Sequence, residues 1–269
     1  MSMRQLAWRA LYEVLAARVR RPEWAFMNYG YAPLDPRQEP LALEPADEPD
    51  RMCIQLYDHV VGDADLRGAD VLEVGCGRGG GSSFLARYRA PRSMTGVDLS
   101  HAAVALCRRH RRAPGLGFVQ GDALDLPFPD GSFDAVVNVE SSHCYPSMET
   151  FLGEAHRVLR PGGSLLFADL RGAQEMVELW GTLRDSSLEV VDLRDITPNV
   201  CAALERDDDR RRALLDAWIP RPLHRPFERF AAFEGSGTHA RLRAGENRYT
   251  SALLVKAPAP RDGTTTALA

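Results

Sequence analysis

Asp98, Asp122 and His143 each follow a short apolar run, and Glu73 stands inside another, just before a glycine-rich turn. A carboxylate about 20 residues beyond such a turn, as Asp98 is, can accept both hydroxyl protons of a ribose. Asp122, in Gln120-Gly121-Asp122-Ala123, can accept from an adenine amine while a neighbouring N–H meets a ring nitrogen. His143 lies in Asn138-Val139-Glu140-Ser141-Ser142-His143-Cys144-Tyr145-Pro146 and titrates near neutral pH, as a general base should. It equally suits a structural hydrogen bond in its loop or a contact with a bound cofactor. His224 and His239 are alternative bases, and Cys144 reads as small-residue packing.

These groups need a scaffold that brings strand ends together. Val71-Leu72-Glu73-Val74 reads as a buried strand running into Gly75-Cys76-Gly77-Arg78-Gly79-Gly80-Gly81, after which Ser82-Ser83-Phe84-Leu85-Ala86 opens a helix. A side chain at Gly75, Gly77 or Gly79 would block close approach of a ligand to the backbone. Further strands follow at 93–98, 116–119 and 133–138. Arg157-Val158-Leu159-Arg160 closes a helix, Pro161-Gly162-Gly163 turns, and Ser164-Leu165-Leu166-Phe167 opens a fifth strand. Strands alternating with helices predict a mostly parallel sheet with helices on both faces, and Asp98, Asp122 and His143 fall at its carboxyl edge. Beyond it, 173–183 reads as helix, 188–193 as strand, 199–218 as helix and 248–256 as the last strand.

Taken together, Glu73-x-Gly-x-Gly-x-Gly, Asp98, Gly121-Asp122, Phe133-Asp134 and Leu159-Arg160-Pro161-Gly162-Gly163 resemble the class I S-adenosylmethionine-dependent methyltransferases. An NAD-type Rossmann domain shares the strand–turn–helix but lacks the last two motifs. The resemblance implies a Rossmann-like α/β fold with a seven-stranded sheet and an N-terminal helical arm or lid. It also implies S-adenosylmethionine as cofactor, with S-adenosylhomocysteine as product. More narrowly, the chain is similar to the phthiotriolone/phenolphthiotriolone dimycocerosate O-methyltransferase group and related actinomycete natural-product enzymes. That likeness rests on Phe26-Met27-Asn28-Tyr29-Gly30-Tyr31, Ile54-Gln55-Leu56-Tyr57, the 139–146 loop, Asp169-Leu170-Arg171, Ile196-Thr197-Pro198-Asn199-Val200 and Phe233-Glu234-Gly235-Ser236.

From this resemblance the expected activity is methylation of a hydroxyl on a polyketide- or lipid-like small molecule, with His143 as general base. C- or N-methylation, and a cyclase or binding protein that retains the cofactor, are the alternatives. Expected cofactor contacts are Tyr29, Tyr31, Gln55, Glu73, Gly75, Cys76, Gly77, Gly79, Asp98, Leu99, Ser100, Gly121, Asp122, Ala123, Asn138, Glu140 and His143. The acceptor pocket is expected from the arm, residues 143–146, Arg171 and residues 196–239. Trp180, Trp218, Phe227, Phe230 and Phe233 are available to line it.

Composition bounds these readings. The chain has 269 residues, a net charge of −4, 45% hydrophobic and 26% charged residues, the profile of a soluble α/β protein with a sizeable core. Net negative charge argues against a nucleic-acid partner, which needs a clustered positive surface. Arg108, Arg109, Arg111 and Arg112 read as a solvated helix end, and Asp207-Asp208-Asp209-Arg210-Arg211-Arg212 as a solvated face of paired neighbours. Consecutive carboxylates on a helix diverge, so no metal is expected. The five scattered cysteines show no zinc-type spacing and suit reduced thiols. With no apolar run long enough to span a bilayer and no signal-peptide core, the expected location is cytoplasmic, without membrane insertion. The expected partner is a hydroxylated small molecule, with room for a homodimer. The organisation reads as an arm and lid over 1–50, with a helix at 4–20 ended by Pro22 and a Pro- and acid-rich loop at 33–49. A methyltransferase domain follows over 51–257, with an acceptor-binding insertion near 196–245, and a disordered tail over 258–269.

Overall fold

A computed structural model describes residues 21, 23–218, 221, 224 and 232–259. The expected helix at 4–20, Pro22, Phe227, Phe230 and most of the tail lie outside the described residues.

The seven strands are β1 (Asp70–Val74), β2 (Ser93–Asp98), β3 (Leu116–Gln120), β4 (Phe133–Val139), β5 (Leu159–Gly172), β6 (Glu189–Asp195) and β7 (Asn247–Val255), arranged β3-β2-β1-β4-β5-β7-β6. The first five are parallel; β7 runs antiparallel to both β5 and β6. This is the mostly parallel, Rossmann-like sheet expected of a class I methyltransferase. The central strands are apolar and covered on both faces, as a parallel sheet requires; β6, at the edge, stays largely exposed. One hydrophobic cluster joins Ile54, Leu56, Val71, Phe84 and Val137 on one side of the sheet; a second joins Leu72, Val136, Phe151, Leu165 and Phe167 on the other.

The helices are α1 (Arg51–Val61), α2 (Gly80–Tyr88), α3 (His101–His110), α4 (Met148–Val158), α5 (Ala173–Arg184), α6 (Thr197–Arg206), α7 (Asp208–Trp218) and α8 (Gly237–Arg243). Ser100 caps α3 by accepting from the Ala103 N–H, and Ser147 caps α4 in the same way. Arg108, Arg109 and His110 close α3 in solvent, at the end where positive charge is favoured.

Two expectations need correction. The helix read over 199–218 is two helices that break at Asp207, whose carboxylate turns to bind Arg210. Nor is 207–212 a solvated face. Its neighbours are paired, Asp207 with Arg210 and Asp208 with Arg212, but Asp208 is buried and Arg211 has a buried nitrogen. Among the described residues no helix is long and apolar enough to cross a membrane.

Candidate active site

β1 lies between β2 and β4, so the connections leaving β1 and β4 diverge and open a crevice at their carboxyl ends. The glycine turn after β1 forms its floor. Gly75 adopts φ +76, and a Cβ there would collide with the Ser141 side chain. Gly80 faces the arm so closely that a Cβ would stand 2.6 Å from the Ala25 carbonyl oxygen and 2.8 Å from Phe26. Small size is what lets the 139–146 loop and the arm both close on this turn.

The turn is locked from within. The N–H groups of Gly75 and Cys76 donate to the Val97 carbonyl at 2.8 and 3.0 Å, that of Gly77 to Asp98 Oδ2 at 2.8 Å, and that of Gly79 to the Cys76 carbonyl at 2.8 Å. A pyrophosphate-binding loop must aim such donors at its ligand. These four are committed to the protein and are not free to meet a phosphate. Glu73 is buried beneath it, accepting from Tyr57 Oη at 2.7 Å and from Ser82 Oγ. Desolvation pushes its carboxyl up to about 7.

Ten of the expected cofactor residues line one cavity: Gly75, Cys76, Gly77, Asp98, Leu99, Ser100, Gly121, Asp122, Ala123 and Glu140. Three more support its walls: Glu73; Gly79, which caps α2; and Asn138, whose Nδ2 lies 3.0 Å from the Val74 carbonyl and 2.8 Å from Ser141 Oγ. Gln55 is buried on α1, outside the lining. Tyr31 stacks on His59 with ring centroids 4.1 Å apart, and Tyr29 lines a neighbouring chamber, so neither ring stands on the cavity. The arm residues that do line it are Ala25 to Asn28.

Arg78 holds this arm down, a role no sequence motif announced. Its buried guanidinium donates to the Arg21 carbonyl at 2.9 Å and the Trp24 carbonyl at 2.5 Å, and lies 4.8 Å from the Trp24 ring centroid. Glu140 is a second tether. It sits at φ +48, and its Oε1 accepts from the Tyr29 N–H at 2.6 Å and Tyr249 Oη at 2.8 Å. Desolvation raises this carboxyl from 4.5 to about 7. A carboxyl whose folded value is raised costs stability as pH climbs from its unfolded value through the folded one. Glu140→Gln keeps the acceptor and removes the charge. It should match the wild type near pH 4 and exceed it by about 3 kcal/mol at pH 8 in urea unfolding.

His143, the remaining expected cofactor contact, is not among the residues that line the cavity, although its chain neighbours Cys144, Tyr145 and Pro146 are. Asp169, fully buried at the end of the parallel part of β5, accepts from His143 Nδ1 and from the His143 N–H, both at 2.8 Å. It also accepts from Ser142 Oγ and the Leu170 N–H, and pairs with Arg171 at 3.1 Å. Burial alone would raise this carboxyl, but the Arg171 and His143 charges and these bonds hold it well below the carboxylate range. Burial alone would likewise lower His143; the Asp169 charge and hydrogen bond overcome it and push the imidazole up to about 10. Asp169 was missed as a site residue, although an acid ending the apolar run Leu165-Leu166-Phe167-Ala168 repeats the signal that marked Asp98.

The other candidates fall elsewhere. His239 is buried on α8, 3.5 Å from Glu205, and His224 lies 3.7 Å from Asp216. Trp180 packs into the core and donates to Thr250 Oγ1 at 3.1 Å. Trp218 and Phe233 line the neighbouring chamber.

Comparison with known proteins bears on the same region. A family model described as a methyltransferase domain matches residues 72–167, the span from β1 into β5. The chain is similar to the phthiotriol/phenolphthiotriol dimycocerosates methyltransferase of Mycobacterium tuberculosis (strain ATCC 25618 / H37Rv), at 41% identity over 242 residues, covering 90% of this chain and 89% of that protein. It is also similar to the fatty-acid O-methyltransferase of Mycolicibacterium smegmatis, at 40% identity over 252 residues, covering 94% and 90%. Among solved structures, the geranyl diphosphate C-methyltransferase from Streptomyces coelicolor A3(2), in complex with S-adenosyl-L-homocysteine, superposes with a TM-score of 0.60 over 91% of this chain and 98% of that one. At 19% identity that likeness is one of fold.

Proposed function

Since the chain belongs to the S-adenosylmethionine-dependent methyltransferases, in the family of the phthiotriol/phenolphthiotriol dimycocerosates enzymes, we propose that it methylates a hydroxyl of a polyketide- or lipid-like small molecule, with His143 as the base. The cavity's residues suit the donor. Asp98, Asp122, Ala123 and Leu99 all line it, and their chemistry supports this reading: a carboxylate suits ribose hydroxyls, Asp122 and the Ala123 backbone suit an adenine's polar edge, and Leu99 suits its apolar face. When bound, the donor supplies a methyl on a positively charged sulfur, a strong electrophile.

The protein's remaining work is to position the acceptor and take up a proton. A neutral hydroxyl is a weak nucleophile. As its oxygen forms the new bond to the methyl carbon, the carbon–sulfur bond breaks with its electron pair left on sulfur, and the hydroxyl proton passes to His143. Asp169 fixes the imidazole by its Nδ1 and balances the charge it gains. The observation that carries this reading is the His143–Asp169 pair beside the loop that lines the donor cavity.

Incubation with a donor carrying a 13C-methyl group and a panel of hydroxylated polyketide and lipid acceptors tests it. The expected product carries the label on oxygen, with one S-adenosylhomocysteine released per methyl. A label found on carbon or nitrogen would overturn the hydroxyl assignment.

A further inference from the structure

A second chamber lies beside the donor cavity and shares with it Phe26, Met27 and Asn28 as a common wall. The arm ties the two together: the N–H of Tyr29, which lines the chamber, donates to Glu140, which lines the donor cavity. Another wall comes from α7. Leu214 and Trp218 stand four positions apart on this helix, so they share a face, and both line the chamber. Leu215 and Phe233, also in the lining, are buried. Trp24, Phe26, Met27, Leu214 and Trp218 are only half-buried. Five large apolar side chains thus keep accessible surface while lining one hollow, a concentration that marks a binding site rather than a packed core.

The charged members of the lining are already engaged. Arg210 holds Asp207 through two bonds, at 2.7 and 2.6 Å, and reaches Asp50 at 3.2 Å. The Arg211 guanidinium carbon lies 4.7 Å from the Phe233 ring centroid, and Glu23 is exposed to solvent. The part of the lining left without a partner is therefore its apolar surface. Covering that surface takes it out of water, which a hydrocarbon chain does in proportion to its length. A chain lodged here lies against the same three arm residues that wall the donor cavity, which places it beside the donor.

We propose that this chamber takes the hydrocarbon chain of the methyl acceptor, with Leu214 and Trp218 as the residues that set its preference for long chains over short ones. The proposal rests on the function given above in identifying the chain as the acceptor's; that the chamber binds a chain is read from affinity, without methyl transfer.

Calorimetry with 1-hexanol and 1-decanol tests it, on protein saturated with S-adenosylhomocysteine so that the donor cavity is already filled. 1-Decanol should bind about tenfold tighter than 1-hexanol or better, since each added methylene removes more apolar area from water. Leu214→Trp, which fills the chamber, should bring the two alcohols within about twofold of each other while S-adenosylhomocysteine affinity stays within about twofold of the wild type. Trp218→Ala, which strips the same helix face, should weaken 1-decanol about tenfold, so the test survives if one variant fails to fold. Equal binding of the two alcohols to the wild type, or a preference that survives both variants, would overturn the proposal. So would a change of oligomeric state in Leu214→Trp by light scattering, which would make the chamber an interface between copies. Because the alcohols are read by binding, a failed regiochemistry experiment leaves this result standing, and the reverse.

Discussion

Replacing His143 with alanine should lower methyl transfer about 10²- to 10⁴-fold while S-adenosylhomocysteine affinity stays within about twofold of the wild type. The split follows from where the residue stands. His143 is not among the residues lining the donor cavity, and its ring is anchored to Asp169 on β5 rather than to the glycine turn. If His143 is the base as proposed, its loss removes the proton acceptor while leaving the cavity's lining in place. Calorimetry with S-adenosylhomocysteine beside single-turnover kinetics reads both quantities on one preparation. A variant that loses affinity and rate in parallel would instead make His143 a cofactor contact, the other reading its loop position allows.

The second large effect falls on binding. Gly75→Ala places a methyl group at φ +76, a backbone region that L side chains resist, and drives it into Ser141 and toward Tyr145 Oη at 3.0 Å. Either the turn flattens or the 141–145 loop moves away, and each spoils the cavity that both line. Donor affinity should fall about 100-fold, equivalent to roughly 2.7 kcal/mol, with a lowered melting temperature. Affinity within threefold of the wild type would show that the turn and the loop need not touch for the site to form.

The strand ends were legible in the sequence because a buried parallel strand must be apolar and its exit turn must be small. Val71 to Val74 with Gly75, and Ser93 to Val97 with Asp98, announce themselves by composition alone. The arm was harder. Tyr29 and Tyr31 are the conspicuous side chains, but Tyr31 stacks on His59 while the plainer Ala25 to Asn28 segment meets the glycine turn, held by Arg78. Nothing in spacing shows that an arginine inside a glycine run will bind carbonyls more than 50 positions earlier. Asp169 carried a signal that went unused, an acid closing an apolar strand. Arg211 was misjudged because a charge run looks solvated from sequence; which of its members turns inward depends on the break at Asp207 and on the packing of Phe233.

The claim at the centre is that Asp169 tunes His143 to take the acceptor's proton, and the pH dependence of single-turnover methyl transfer tests it most directly. With the imidazole pushed up to about 10, the deprotonated fraction grows about tenfold per pH unit below that value, so the rate should climb steadily from pH 7 to 9 and level near 10. In Asp169→Asn the largest raising influence is gone and burial works against only the smaller pull of Cys144, so the inflection should fall by more than one pH unit and the profile flatten above it. A wild-type rate already flat between pH 7 and 9, or an inflection that Asp169→Asn does not move, would contradict it.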